Sequence, residues 1–263
     1  MESPSAPEQR SDDFLSTDPG RPPSLEFSMG VALFGFAFMV FFIAQSVVFI
    51  RGMIARSPEF AGQSFSFDLL EDPAFKERMV ELQFNGDLVG LESAWSGGIG
   101  AAFILLTCWL WKRDRFRALL GLRLPRAKQM ALFIGLFALV ALAIELLAMV
   151  SPAFTTDFMK QVIESTTNWP MLVIGVAILG PLFEELLLRG LLFGAVRHIA
   201  DEHVSVAVTA GVFALMHLQY SLPIMLLILP MGIVLGYARA RTGSLLVPIA
   251  LHMANNGLSI LWP

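Results

Sequence analysis

Three short patterns in the second half of the chain place ionisable and amide side chains within apolar sequence. The first is Gly180-Pro181-Leu182-Phe183-Glu184-Glu185-Leu186-Leu187-Leu188-Arg189, with two acids and a cation. The second, Phe213-Ala214-Leu215-Met216-His217, ends in a histidine. The third, His252-Met253-Ala254-Asn255-Asn256, brings an imidazole and two amides. Charges in hydrocarbon are costly and mark function by default. Residues four apart share a helix face, whereas adjacent ones point about 100° apart. Glu185 and Arg189 are therefore a natural ion pair that holds their helix in place. Glu184 points elsewhere and has no local cation. Burial makes such a carboxylate a better proton acceptor, which suits a general base. Phe213 and His217 share a face, as do His252 and Asn256.

An acid with a bound water and two imidazoles can hydrolyse an amide. Two versions of that chemistry stay open. In one, His217, His252 and the Glu184 carboxylate hold a divalent metal such as zinc that activates the water. In the other there is no metal: Glu184 activates the water, and the histidines and Asn256 stabilise the oxyanion. His-Glu-x-x-His does not occur in the chain, so the usual zinc-protease helix is missing.

The elements that must position these residues follow from composition. Of 263 residues, 56% are hydrophobic and 15% charged, against about 25% charged in ordinary globular domains. The mean hydropathy is +0.67. A soluble fold of this size has too little interior to hide that much apolar surface. Disorder over most of the length is excluded for the same reason. A single cysteine, Cys108, excludes a disulfide scaffold. A net charge of −4 with scattered bases gives no footprint for nucleic acid. The expected fold is all-α, a polytopic transmembrane bundle of about seven spans: Ser28–Ile50, Ala94–Trp111, Gln129–Val150, Pro170–Arg197, Val204–His217, Leu222–Gly236 and Leu245–Trp262. Helical rise places Glu184 and His217 each about 20 Å from the ends of their spans, and His252 at about 10 Å.

Residues 1–27 hold six acids and five prolines and read as a disordered acidic tail rather than a signal peptide. The transmembrane domain is then 28–263. The loop from Lys112 to Lys128 has seven bases and one acid, which places it, and with it the N-terminus, on the cytoplasmic side. The absence of a cleavable signal fits a plasma-membrane protein, and a bacterial inner membrane is the expected location. The segment 51–93 is expected to form short amphipathic helices at the outer surface. No internal repeat of the kind found in many transporters is visible.

Glu-Glu-x-x-x-Arg, Phe-x-x-x-His and His-x-x-x-Asn in successive spans resemble the CPBP intramembrane proteases, also called the CAAX-protease or Abi family. The resemblance covers about 170–260, the expected catalytic core. It implies an active site of Glu184, His217, His252 and Asn256, with Glu185 and Arg189 in support. It also implies an endopeptidase acting on a membrane-bound or lipid-tethered protein or peptide, in contact with membrane lipids. Family members resemble the eukaryotic enzyme that trims prenylated CAAX proteins; others are linked to bacteriocin self-immunity. The competing functions are a proton-coupled transporter using the same buried groups as a relay, and a non-catalytic immunity or scaffold protein.

Plainer readings apply elsewhere. Glu145 is expected to bond a neighbouring helix. His198 and His203 sit in a polar turn. The Phe-rich first span faces lipid. Pro181 lacks an N–H, so it kinks its helix or frees a carbonyl.

Overall fold

Apolar sequence in lipid has no water to satisfy its backbone, so helices are the expected solution. A computed structural model describes residues 22–262 apart from 61 and 64, and all regular structure among them is helical. The principal helices are α1 (Pro23–Ala55), α2 (Pro73–Leu82), α3 (Gly86–Lys112), α4 (Ala127–Val150), α5 (Trp169–Arg197), α6 (Glu202–Leu215), α7 (Leu222–Thr242) and α8 (Leu246–Leu261). Five of them, α1, α3, α4, α5 and α7, are long and apolar enough to cross a membrane. The apolar helices α6 and α8 have 14 and 16 residues and rise only about 21 and 24 Å. The chain is a helical membrane bundle of about seven spans, with α2 as an extra short helix.

Several boundaries differ from the sequence expectation: α1 runs on to Ala55, α7 continues to Thr242, and α6 spans Glu202–Leu215. Helix α1 starts at Pro23, so residues 23–27 are helical rather than tail; 1–21 lie outside the described residues. Helix α3 starts at Gly86, eight residues before Ala94. Asn85 caps it by accepting from the Leu88 N–H at 3.1 Å. The early start brings two acids into the helix, and each has a polar partner. Asp87 accepts from the backbone N–H groups of Thr167 at 2.8 Å and Asn168 at 2.7 Å, tying the start of α3 to the start of α5. Glu92 accepts a side-chain hydrogen bond from Gln45 of α1.

Small residues let α3 and α5 meet backbone to backbone. A Cβ on Gly97 would lie 2.6 Å from Leu179 O, and one on Gly175 would collide with Gly90 O. Nearer the site, Phe183 of α5 stacks on Phe41 of α1 with centroids 4.3 Å apart. One buried apolar cluster unites Leu188 and Leu192 of α5 with Phe213 of α6, Leu235 of α7 and Leu251 of α8.

The burial pattern is reversed from that of a water-soluble protein. Phe36, Phe42, Leu139, Leu142 and Val150 are exposed, whereas Glu185 and Arg189 have no accessible surface. Glu145 corrects an expectation: it lies on the exposed face of α4, and no bond to a neighbouring helix is found among the described residues.

The entry into α8 is buried. Leu245 is fully enclosed, its N–H bonded to Gly121 O at 2.8 Å. Ser244 Oγ donates to Arg123 O at 2.5 Å. Arg123 Nη2 donates to Thr242 O at 2.6 Å. Left-handed glycines make both turns: Gly121 at φ +69° and Gly243 at φ +61°. The loop after α3 therefore covers the start of α8, which begins inside the bundle rather than at its surface.

Candidate active site

Helix α5 carries the acids and is not a regular α-helix. Asn168 caps its start, accepting from Met171 N–H at 3.2 Å. Two π-helical stretches, Val173–Leu179 and Leu186–Leu192, flank an α-helical segment, Gly180–Glu185. Such insertions concentrate at functional sites because they re-aim side chains within a continuous helix.

Glu185 and Arg189 form a fully buried pair, Oε1 to Nη1 at 2.8 Å. Arg189 Nη2 also donates to Gly232 O of α7 at 2.9 Å. Its guanidinium lies 4.8 Å from the Phe213 ring centroid. The same Glu185 oxygen contacts His252 Nδ1 of α8 at 2.9 Å. A carboxylate only accepts, so His252 carries hydrogen on Nδ1. His252 Nε2 then faces Glu184 Oε2 at 3.9 Å. That oxygen is buried and has no hydrogen-bond partner among the described residues. The adjacent acids thus divide: one is locked in an ion pair, the other is left open toward an imidazole.

His217 enters from the end of α6. Its Nδ1 is 2.8 Å from Phe213 O, and a carbonyl only accepts, so Nδ1 bears the hydrogen. The Phe213 ring stands between the imidazoles, 5.0 Å from His217 and 5.3 Å from His252. Tyr220 stacks on His217 at 6.1 Å and lies near enough to Glu184 to feel its charge. Asn256, one turn beyond His252, donates from Nδ2 to Val176 O of α5 at 3.0 Å. Asn255 Nδ2 lies 3.4 Å from Asn256 Oδ1.

This arrangement falls within a stretch that known proteins share. Residues 166–258 match the family model described as Type II CAAX prenyl endopeptidase Rce1-like. The CAAX-protease resemblance holds over this region. Two curated relatives agree. YdiL of Bacillus subtilis (strain 168), provisionally named a membrane peptidase, is 28% identical over 92 residues. MroQ of Staphylococcus aureus (strain USA300), named a membrane-embedded CAAX protease, is 30% identical over 100 residues. Each alignment covers 35% of this chain and 37% or 39% of the relative, so the chain spans well under half the length of either. No solved structure matches the chain.

Within the Rce1-like region, Glu184, Glu185, Arg189 and His252 form one network. His217 adjoins it through Phe213 and Tyr220. The three expected ligands, Glu184, His217 and His252, do not converge. No group of three His, Cys, Asp or Glu side chains that could hold a metal occurs among the described residues. As placed, the set does not fit a three-ligand zinc site.

Helical rise alone left His252 about 10 Å shallower than Glu184. The buried start of α8 removes that difference. Sequence reasoning did not single out Gly232 O, Tyr220 or Arg239. Arg239 is nearly buried, and its Nε donates to Arg189 O at 3.1 Å. A cation in an apolar helix was the available signal for Arg239; a backbone carbonyl gives none.

Proposed function

We propose that this chain is an intramembrane endopeptidase hydrolysing a peptide bond of a membrane-bound or lipid-tethered substrate with water activated by Glu184. The observation that carries the reading is the buried, unpartnered Glu184 Oε2 facing His252 Nε2 across 3.9 Å. That distance is too long for a direct hydrogen bond, and a water bonded to both groups closes it. In this role Glu184 accepts from that water, and His252, with hydrogen on both ring nitrogens, donates from Nε2.

Glu184 takes a proton from the water as its oxygen adds to the scissile carbonyl carbon. The carbonyl electrons move onto oxygen, and His252 Nε2–H donates to the resulting oxyanion. The C–N bond then breaks as Glu184 returns the proton to the leaving nitrogen. His217, with hydrogen on Nδ1, presents Nε2 as an acceptor for the water or the scissile N–H. Glu185 and Arg189 hold the His252 ring and the helix in register. No step runs through zinc.

The family description and the MroQ name favour a CAAX-type substrate, cut near its C-terminus. The seven bases of the 112–128 loop favour a cytoplasmic position for that loop and for the N-terminus, in a bacterial plasma membrane. Lipid headgroups and the tethered substrate are the partners.

The test is cleavage of an internally quenched farnesylated CAAX peptide by purified protein in liposomes. Wild type should cut it. Glu184→Gln should lose about 10²–10⁴-fold in kcat/KM while keeping its melting temperature. Full activity in Glu184→Gln refutes the mechanism.

A further inference from the structure

Each π stretch of α5 ends by passing over a carbonyl. Gly180 N–H reaches back five residues to Gly175 O. The next carbonyl, Val176 O, then falls to residue 181, and Pro181 has no N–H to give. At the second stretch, Phe193 N–H reaches back to Leu188 O. The chain then returns to α spacing over Phe193–Arg197, which passes over Arg189 O. A carbonyl stranded in an apolar bundle is costly unless a donor is found. Both find one on another helix: Asn256 Nδ2 bonds Val176 O at 3.0 Å, and Arg239 Nε bonds Arg189 O at 3.1 Å.

We propose that Asn256 is a positioning residue whose side-chain amide replaces the backbone donor that Pro181 lacks. The bond joins α8, one turn past His252, to α5, two turns before Glu184. It sets the separation of the two groups that flank the water. This differs from direct service as an oxyanion donor, which would leave Pro181 irrelevant to Asn256.

The two roles separate in a double-mutant cycle. Asn256→Leu is made in full-length wild type and in Pro181→Ala, whose new N–H can reach Val176 O. Each protein is melted in detergent and assayed on the quenched farnesylated peptide. In wild type, Asn256→Leu should lower the melting temperature by about 5 °C and kcat by about 100-fold. On the Pro181→Ala background, the same substitution should cost under about 2 °C and under about 10-fold, the remainder having been restored by the backbone bond.

Equal melting losses on both backgrounds overturn the proposal. A rescued melting temperature with an unrescued kcat also overturns it and assigns Asn256 to the oxyanion. If Asn256→Leu alone does not fold, a folded Pro181→Ala/Asn256→Leu protein is itself the rescue, and failure of both refutes it. Only the cleavage arm rests on the peptidase reading. If wild type cuts no peptide, that reading fails while the melting arm still decides the role of Asn256.

Discussion

Replacing Arg189 with methionine keeps much of the side-chain volume and removes the charge. It deletes the 2.8 Å contact to Glu185, the 2.9 Å bond to Gly232 O and the cation over the Phe213 ring. Glu185 has no accessible surface, so its charge cannot turn to water. Breaking a fully buried pair from one side costs about 3–5 kcal/mol. At about 2–4 °C per kcal/mol for a chain near this size, Arg189→Met should lower the melting temperature in mild detergent by roughly 6–20 °C. The double variant Glu185→Leu/Arg189→Met has no stranded charge. Like the single it lacks the donor to Gly232 O, and it adds the lost acceptor on His252 Nδ1, each worth about 1–3 kcal/mol if left unsatisfied. The double should therefore melt well above the single. The assay is the set of four proteins (wild type, both singles and the double) melted side by side. A shift below about 2 °C for Arg189→Met, or a double no more stable than that single, would refute the assignment of this pair as what holds α5 against α7 and α8.

Other outcomes follow from the same geometry. EDTA treatment should leave peptide cleavage unchanged, and elemental analysis should find far less than one zinc per chain; one zinc per chain, lost in His217→Ala/His252→Ala, would overturn the metal-free route. Gly97→Val should destabilise by about 1–3 kcal/mol or more, because its Cβ meets the Leu179 carbonyl at 2.6 Å, whereas Gly135→Val, with nothing within 4 Å of its Cβ, should lack that steric cost. Equal melting temperatures for these two variants would mean that α3 and α5 do not meet as closely as described. Tyr220→Phe keeps the ring stacked on His217 and should leave stability within about 0.5 kcal/mol; a larger melting loss would show that its hydroxyl helps hold the loop beside Glu184.

The sequence went far toward the fold because the constraint is a local one. An apolar run near 20 residues long can satisfy its backbone only as a helix in lipid. Hence five long helices and the two shorter ones fall close to the expected spans. Boundaries moved where polar residues found specific partners. Asp87 and Glu92 looked like loop residues until Thr167, Asn168 and Gln45 were beside them. Glu145 shows the opposite failure, since nothing in the chain itself says which face of α4 meets a neighbour.

The sequence by itself determined which side chains are out of place in hydrocarbon: Glu184, Glu185, Arg189, His217, His252 and Asn256. It also determined that Glu185, four residues before Arg189, could pair with it while Glu184 could not. Tertiary structure decided the rest. It brought His252 to both acids by starting α8 beneath the loop that follows α3. It put Asn256 on a backbone carbonyl of α5. The physical reason is that these outcomes depend on hydrogen-bond partners 67 to 121 residues away. Periodicity reports the face of one helix, whereas depth and backbone satisfaction depend on the neighbouring helices.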